Sequence, residues 1–252
     1  MGQIITIANQ KGGVGKTTTA INLSACLAAA GRRVLLLDLD PQGNATSGIG
    51  ISKNELRLTL YDAMIDSVPL RDVQRPSLMK DLMVIPSNRN LVGAEVELVR
   101  AERREFRLRD ALEDVAGDYD YVFVDCPPSL GLLTLNGLVA ADGVLITLQC
   151  EYYALEGLSD LLQTVLLVRD NLNPGLKLSG VLLTMYQHTN LSRQVIADVR
   201  QHLGTKVFDT VIPRNVTLGE APSFGQPIIV YDLKSAGARA YLALAREVVS
   251  RG

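Results

Sequence analysis

The segment Lys11-Gly12-Gly13-Val14-Gly15-Lys16-Thr17-Thr18 constrains this chain more than any other. It follows the apolar run Ile4–Ala8, whose β-branched residues suit a buried strand. It opens an alanine-rich stretch, Thr18–Ala30, that suits a helix stopped by Gly31. A glycine-rich turn between a strand and a helix lets successive backbone N–H groups point inward and form a nest for anionic oxygens. The helix N-terminus adds its unpaired donors and the positive end of its dipole. Lys16 stands where a lysine reaches the β- and γ-phosphates of a nucleotide, and the Thr17 hydroxyl stands where one ligates Mg2+. The strict pattern G-x-x-x-x-G-K-[ST] is broken by Gln10, which takes the place of its first glycine. A second lysine, Lys11, comes early in the loop instead.

Short β-rich runs alternate with helical stretches along the rest of the chain. The runs are Val34–Leu37 ending in Asp38, Leu82–Ile85 stopped by Pro86, Tyr121–Val124 ending in Asp125, Val144–Leu148, Leu178–Leu183 and Val207–Ile212. Helices are expected after Leu148 through about Arg169, over Leu191–His202, and from Ser235 onward. Short apolar runs without alternation predict strands buried on both faces. Strands alternating with helices predict an α/β fold: a doubly wound, mostly parallel sheet flanked by helices on both faces. With no repeat or long linker, residues 1–252 read as a single P-loop domain. Residues 88–116 read as mostly helical. Their mixed charges, from Arg100 to Asp110, read as a solvated helix face with i,i+4 pairs.

In such sheets ligands sit at the C-terminal ends of the strands. Asp125 ends a buried apolar run, where an acid has few structural reasons to exist, and it suits an acid that holds the water shell of Mg2+. Asp38 and Asp40 begin a polar loop, Asp38-Leu39-Asp40-Pro41-Gln42-Gly43-Asn44, placed to face a γ-phosphate.

The net charge of −2 gives no global argument for a polyanionic partner. Its distribution is uneven. Residues 187–252 carry eight Lys/Arg against five acids, a basic third on an acidic body. Cys26, Cys126 and Cys150 are far apart and form no CxxC pair. With only His188 and His202 beside them, they predict no zinc or iron–sulfur site. No apolar run is long enough to predict a membrane span, and no signal-peptide pattern is expected.

Together these stretches resemble the deviant Walker A ATPases of the ParA/MinD superfamily, and specifically the short, Soj-like ParA partition proteins. The resemblance runs through Asn9–Thr19, Asp38–Asn44, Asp125-Cys126-Pro127-Pro128-Ser129-Leu130-Gly131, and Ile212-Pro213-Arg214-Asn215 continuing into Glu220-Ala221-Pro222-Ser223. It implies ATP and Mg2+ as ligands, bound by Lys11, Gly12, Gly13, Val14, Gly15, Lys16, Thr17 and Thr18. Lys11 would reach across an ATP-sandwich homodimer, Lys16 would act in its own subunit, and Asp40 would orient the attacking water. Thr17 would hold the metal directly and Asp125 through water, while Met185, Pro213 and Asn215 would line the adenine. The resemblance also implies slow ATP hydrolysis, a ParB-type stimulating partner, and a place in the cytoplasm on the nucleoid. Non-specific duplex DNA would be held by basic residues of the C-terminal third, here Arg193, Arg200, Lys206, Arg214, Lys234 and Arg239. Two positions depart from the family pattern: Gln187-His188 precede Thr189-Asn190-Leu191, and Thr217 follows Val216, where relatives often carry arginine. Related readings are an orphan ATPase placing another cargo and a MinD-like membrane ATPase. The second expects a basic, aromatic-rich tail after Tyr241–Arg251, which this sequence does not carry.

Overall fold

A computed structural model describes residues 2–151 and 154–251. Met1, Tyr152, Tyr153 and Gly252 lie outside the described residues. With them go the two ends of the expected 1–252 domain and the start of the helix expected after Leu148.

In the run Val34–Asp38 every residue is buried. Val34 and Leu36 join one apolar cluster, while Leu35 and Leu37 join another on the opposite face. A strand that feeds two cores cannot alternate apolar with polar residues, which explains the unbroken runs in the sequence. Each such leucine contributes roughly 1.5–3 kcal/mol by leaving water. The strands are β1 (Gln3–Ala8), β2 (Val34–Asp38), β3 (Arg75–Pro76), β4 (Leu82–Ile85), β5 (Tyr121–Asp125), β6 (Gly143–Gln149), β7 (Lys177–Tyr186) and β8 (Val207–Pro213). They form one eight-stranded sheet in the order β3-β4-β2-β5-β1-β6-β7-β8. Every pairing is parallel except β3 with β4. The two-residue β3 went unread in the sequence because it ends in Pro76, which cannot donate to a ladder and is tolerated at an edge.

Among the described residues five helices are longer than seven residues: α1 (Lys16–Ala29), α2 (Leu132–Ala140), α3 (Ala154–Asn171), α4 (Asn190–Leu203) and α5 (Ala236–Arg251). Helices α1 and α5 cover one face. The Thr19 hydroxyl lies 3.1 Å from the Tyr241 hydroxyl between them. Helix α5 runs antiparallel to β8, because Arg251 near its end donates to the carbonyls of Thr205 (3.1 Å), just before that strand, and Val207 (2.8 Å) at its start.

The expected helix face at 100–110 is corrected. Residues 101–106 are not helical, and Arg103 sits at φ 52°, in the left-handed region. Arg103 bonds Asp110 seven positions on, at 2.9 Å, and Arg104 bonds its neighbour Glu105 at 2.8 Å, so the ion pairs are not i,i+4. The guanidinium groups of Arg103 and Arg109 both pack on the Phe106 ring, and this local arrangement competes with the helix.

Candidate functional site

The strand order brings the site together before any side chain is considered. Strand β5 lies between β2 and β1, with Asp38 in register with Asp125 and Ile7 in register with Asp125. The loop after β1, the loop after β2 and the acid at the end of β5 therefore meet at one edge of the sheet.

The loop after β1 is fixed at both ends. The Asn9 side chain donates to the Thr147 carbonyl at 2.7 Å and accepts the Lys11 N–H at 2.9 Å. The Thr184 hydroxyl on β7 donates to the Val14 carbonyl at 2.9 Å. Between these anchors Gly13 (φ 72°) and Gly15 (φ 86°) take left-handed backbone that other residues adopt at a cost, and the loop turns straight into α1 at Lys16. Lys16 is buried, and its ammonium donates back to the Lys11 carbonyl at 3.0 Å. Burial lowers its proton affinity, while the nearby Asp125, Cys126 and Asp40 oppose that shift. Strand β7 runs past the expected Leu183 to Tyr186, and Met185 near its end sits at φ 52°. A long side chain held there marks a strained position beside the loop.

The three acids play different parts. Asp38 is fully buried and accepts the N–H and hydroxyl of Thr46, both at 2.7 Å, and the Asp40 N–H at 3.2 Å. Burial pushes it up to about 6 against these hydrogen bonds. Thr46 in turn accepts the Ser87 N–H at 2.9 Å. Asp38 thus pins the loop after β2 and does not face the cavity. Asp40 does face it, and its carboxylate accepts the Gln42 N–H at 2.9 Å. Asp125 lies beneath, buried, and neither carboxylate oxygen has a hydrogen-bond partner among the described residues. Burial, then the adjacent Asp38, hold its proton affinity well above the usual carboxylate range. The Thr17 hydroxyl beside it and Lys16 pull the other way.

Above these acids is a cavity of about 370 Å3 lined by Gly12, Gly13, Gly15, Lys16, Thr17, Thr18, Asp40, Gln42, Asn44, Pro128 and Met185. Most of the expected phosphate-loop residues and Met185 therefore converge. Val14 is buried behind the loop, and Lys11 points away, its side chain half-exposed and its ammonium 3.2 Å from Glu151. Pro213 and Asn215 do not line this cavity. They lie one strand over, Pro213 in register with Tyr186 and Asn215 bonded to the Thr217 hydroxyl. Gln42, Asn44 and Pro128 were within quoted motifs but were not singled out. Thr184 gave no signal, being one threonine in an apolar strand.

The six basic candidates do not form one patch. Arg193 lies in the first turn of α4, Arg214 follows β8, Lys234 precedes α5 and Arg239 lies in its first turn, all toward the strand ends that carry the cavity. Lys206 precedes β8 at the opposite edge, and Arg200 donates to the Asp209 carbonyl near that edge at 3.1 Å. The exposed His188 ring sits edge-on against Tyr186, at 5.1 Å between centroids.

A family profile described as an AAA domain matches residues 2–178. The chromosome partitioning protein ParA of Myxococcus xanthus is 57% identical over the whole chain and 89% of its own length. The sporulation initiation inhibitor protein Soj of Bacillus subtilis is 57% identical over the whole of both chains. Among solved structures, a Mycobacterium smegmatis protein described as cobyrinic acid a,c-diamide synthase, with bound ATP analogue and magnesium, superposes with a TM-score of 0.85. It is 39% identical and covers 98% of this chain and 93% of its own. Among the described residues no helix is long and apolar enough to cross a membrane. A phosphate-loop cavity at the carboxyl edge of a parallel sheet, with full-length relatives of this likeness, places the chain in the ParA/Soj family of chromosome-partitioning proteins, P-loop ATPases of the ParA/MinD superfamily.

Proposed function

We propose that residues 1–252 act as one Mg2+-dependent ATPase domain that hydrolyses ATP slowly, pairs with a second copy in its ATP state, and then holds duplex DNA without sequence preference. With a ParB-type partner it would move chromosomes or plasmids on the nucleoid, in the cytoplasm. The observation that carries this reading is the meeting of Lys16, Thr17, Asp40 and the unpartnered Asp125 at the ends of adjacent strands.

An orphaned buried carboxylate next to a threonine hydroxyl fits a hydrated divalent cation. In this reading Thr17 would hold Mg2+ directly and Asp125 would hold it through water. The bound metal would neutralise charge developing on the phosphate oxygens. Gly12 to Thr18 present backbone donors to the phosphates. Lys16 gives up its bond to the Lys11 carbonyl and turns its ammonium to the β- and γ-phosphates, which restores the charge that burial disfavours. Asp40, held by the Gln42 N–H, orients the water in line with the γ-phosphate. Met185 bounds the nucleotide, while Pro213 and Asn215 contact the adenine beyond the phosphate cavity. Lys11, directed away from its own cavity, is free to exchange Glu151 for a partner's phosphates. A site shared in this way makes ATP a dimerisation signal, and loss of the γ-phosphate loosens the pair.

Analytical ultracentrifugation with ATP and with ADP tests the first step. A monomer that becomes a dimer with ATP alone is expected. An unchanged mass with ATP would remove the switch and the reading with it. A second reading, an orphan ATPase placing another cargo, is favoured by the division of the basic residues between two edges of the sheet.

A further inference from the structure

Beside the nucleotide cavity is a second groove, of about 850 Å3, lined by Gln42, Asn44, Lys53, Asn54, Asn88, Arg89 and Asn90. The lining is wholly polar and contains two cations and no carboxylate. Among the described residues neither Lys53 nor Arg89 is in an ion pair with an acid. Gln42 and Asn44 line both spaces, so the groove opens on the end of the nucleotide cavity that carries Asp40.

We propose that this groove takes up the inorganic phosphate leaving the nucleotide cavity. The proposal rests on the ATPase reading above. Phosphate leaves hydrolysis as a mono- or dianion. On the cavity side it faces the Asp40 carboxylate, and on the groove side it meets two cations and the amide donors of asparagine and glutamine. Lys16 also lines the nucleotide cavity, but there its charge is opposed by Asp40, whereas the groove holds its two cations with no acid among its lining residues.

Lys53 connects the groove to the chemistry. Its ammonium donates to the Gln42 carbonyl at 2.7 Å, and its stem lies against Gly43. Gln42 in turn supports Asp40 through its N–H. A phosphate in the groove competes for the Lys53 ammonium, which frees the Gln42 carbonyl and loosens the Asp40 loop once hydrolysis is over. Lys53 is thus a positioning residue, and Arg89, which makes no such bond, is the cleaner probe of the groove.

The test titrates inorganic phosphate into the full chain saturated with Mg2+ and a non-hydrolysable ATP analogue, so that the γ position is filled, and follows binding by 31P NMR. Saturable binding is expected, weakened about tenfold or more by Arg89→Gln, as loss of a charge-assisted bond implies. Single turnovers of ATP add a second readout. Arg89→Gln should leave the acid-quenched cleavage rate unchanged and alter the rate at which free phosphate reaches a sensor. Absence of phosphate binding with the analogue bound, or binding indifferent to Arg89→Gln, would overturn the proposal. Displacement of phosphate by a duplex oligonucleotide would reassign the groove to a phosphodiester and overturn it as a product path. If the analogue itself does not bind, the ATPase reading fails instead. The same titration on the free protein then decides the groove, since binding indifferent to Arg89→Gln refutes it there too.

Discussion

Replacing Asp125 with Asn should make the nucleotide-free protein more stable and its Mg2+–ATP complex weaker. Asp125 is fully buried, and both carboxylate oxygens lack partners. The charged form is disfavoured by burial and by Asp38. Asparagine keeps the shape and removes the charge. An unsatisfied buried polar group costs about 1–3 kcal/mol by mutational measures and more when charged; the amide still bears the first cost and is relieved of the second, so the recovery should be on the order of 1–3 kcal/mol near pH 7. At this chain length that is a rise in Tm of about 2–12 °C. The sign with pH is fixed. The folded carboxyl takes up its proton above the ordinary 3.8, so the native state binds more protons than the unfolded state in the window above that value. The wild-type penalty is therefore absent below about pH 4 and grows as pH rises through the raised folded value. The advantage of Asp125→Asn should shrink to nothing on acidification. Scanning calorimetry of both proteins from pH 4 to 8, with and without Mg2+–ATP, reads all of this. An Asp125→Asn protein less stable than wild type at neutral pH, or one that keeps the full stabilisation by Mg2+–ATP, would refute the assignment.

Asp38→Ala should lower stability by about 2–5 kcal/mol in denaturant titration, because it strands the Thr46 N–H and hydroxyl and the Asp40 N–H. Thr184→Val should cost about 1 kcal/mol and weaken nucleotide binding in calorimetry, since it releases the Val14 carbonyl and with it the phosphate loop. Removing Arg193, Arg214, Lys234 or Arg239 singly should each reduce the salt slope of DNA binding by about 1, while Lys206→Ala at the opposite edge should not change it.

Much of the fold was legible because its signals are local. The glycine–lysine loop, the unbroken apolar runs and the acids that end them announce a parallel sheet with its ligand at one edge, and β1, β2, β4 and β5 fall within a residue of expectation. Terminal acids cannot be told apart by position: Asp38 and Asp125 both end strands, yet one pins a loop and the other is left unpartnered. That difference depends on Thr46, eight residues downstream, folding back. Thr184 was invisible because its bond joins β7 to the phosphate loop at Val14, 170 positions earlier in the chain. The 100–110 segment misled because mixed charge suggested a helix face, while Phe106 drew Arg103 and Arg109 onto its ring. The basic residues were read as a composition, and composition does not reveal that Lys206 lies at the far edge.

The most direct test of the proposed cycle traps the ATP state with Asp40→Ala and measures duplex-DNA binding with ATP and with ADP across a salt series. Binding with ATP alone, falling steeply as salt rises, is the predicted result. A trapped protein that dimerises with ATP but ignores DNA at every salt concentration would contradict it and leave the placement of another cargo as the reading to pursue.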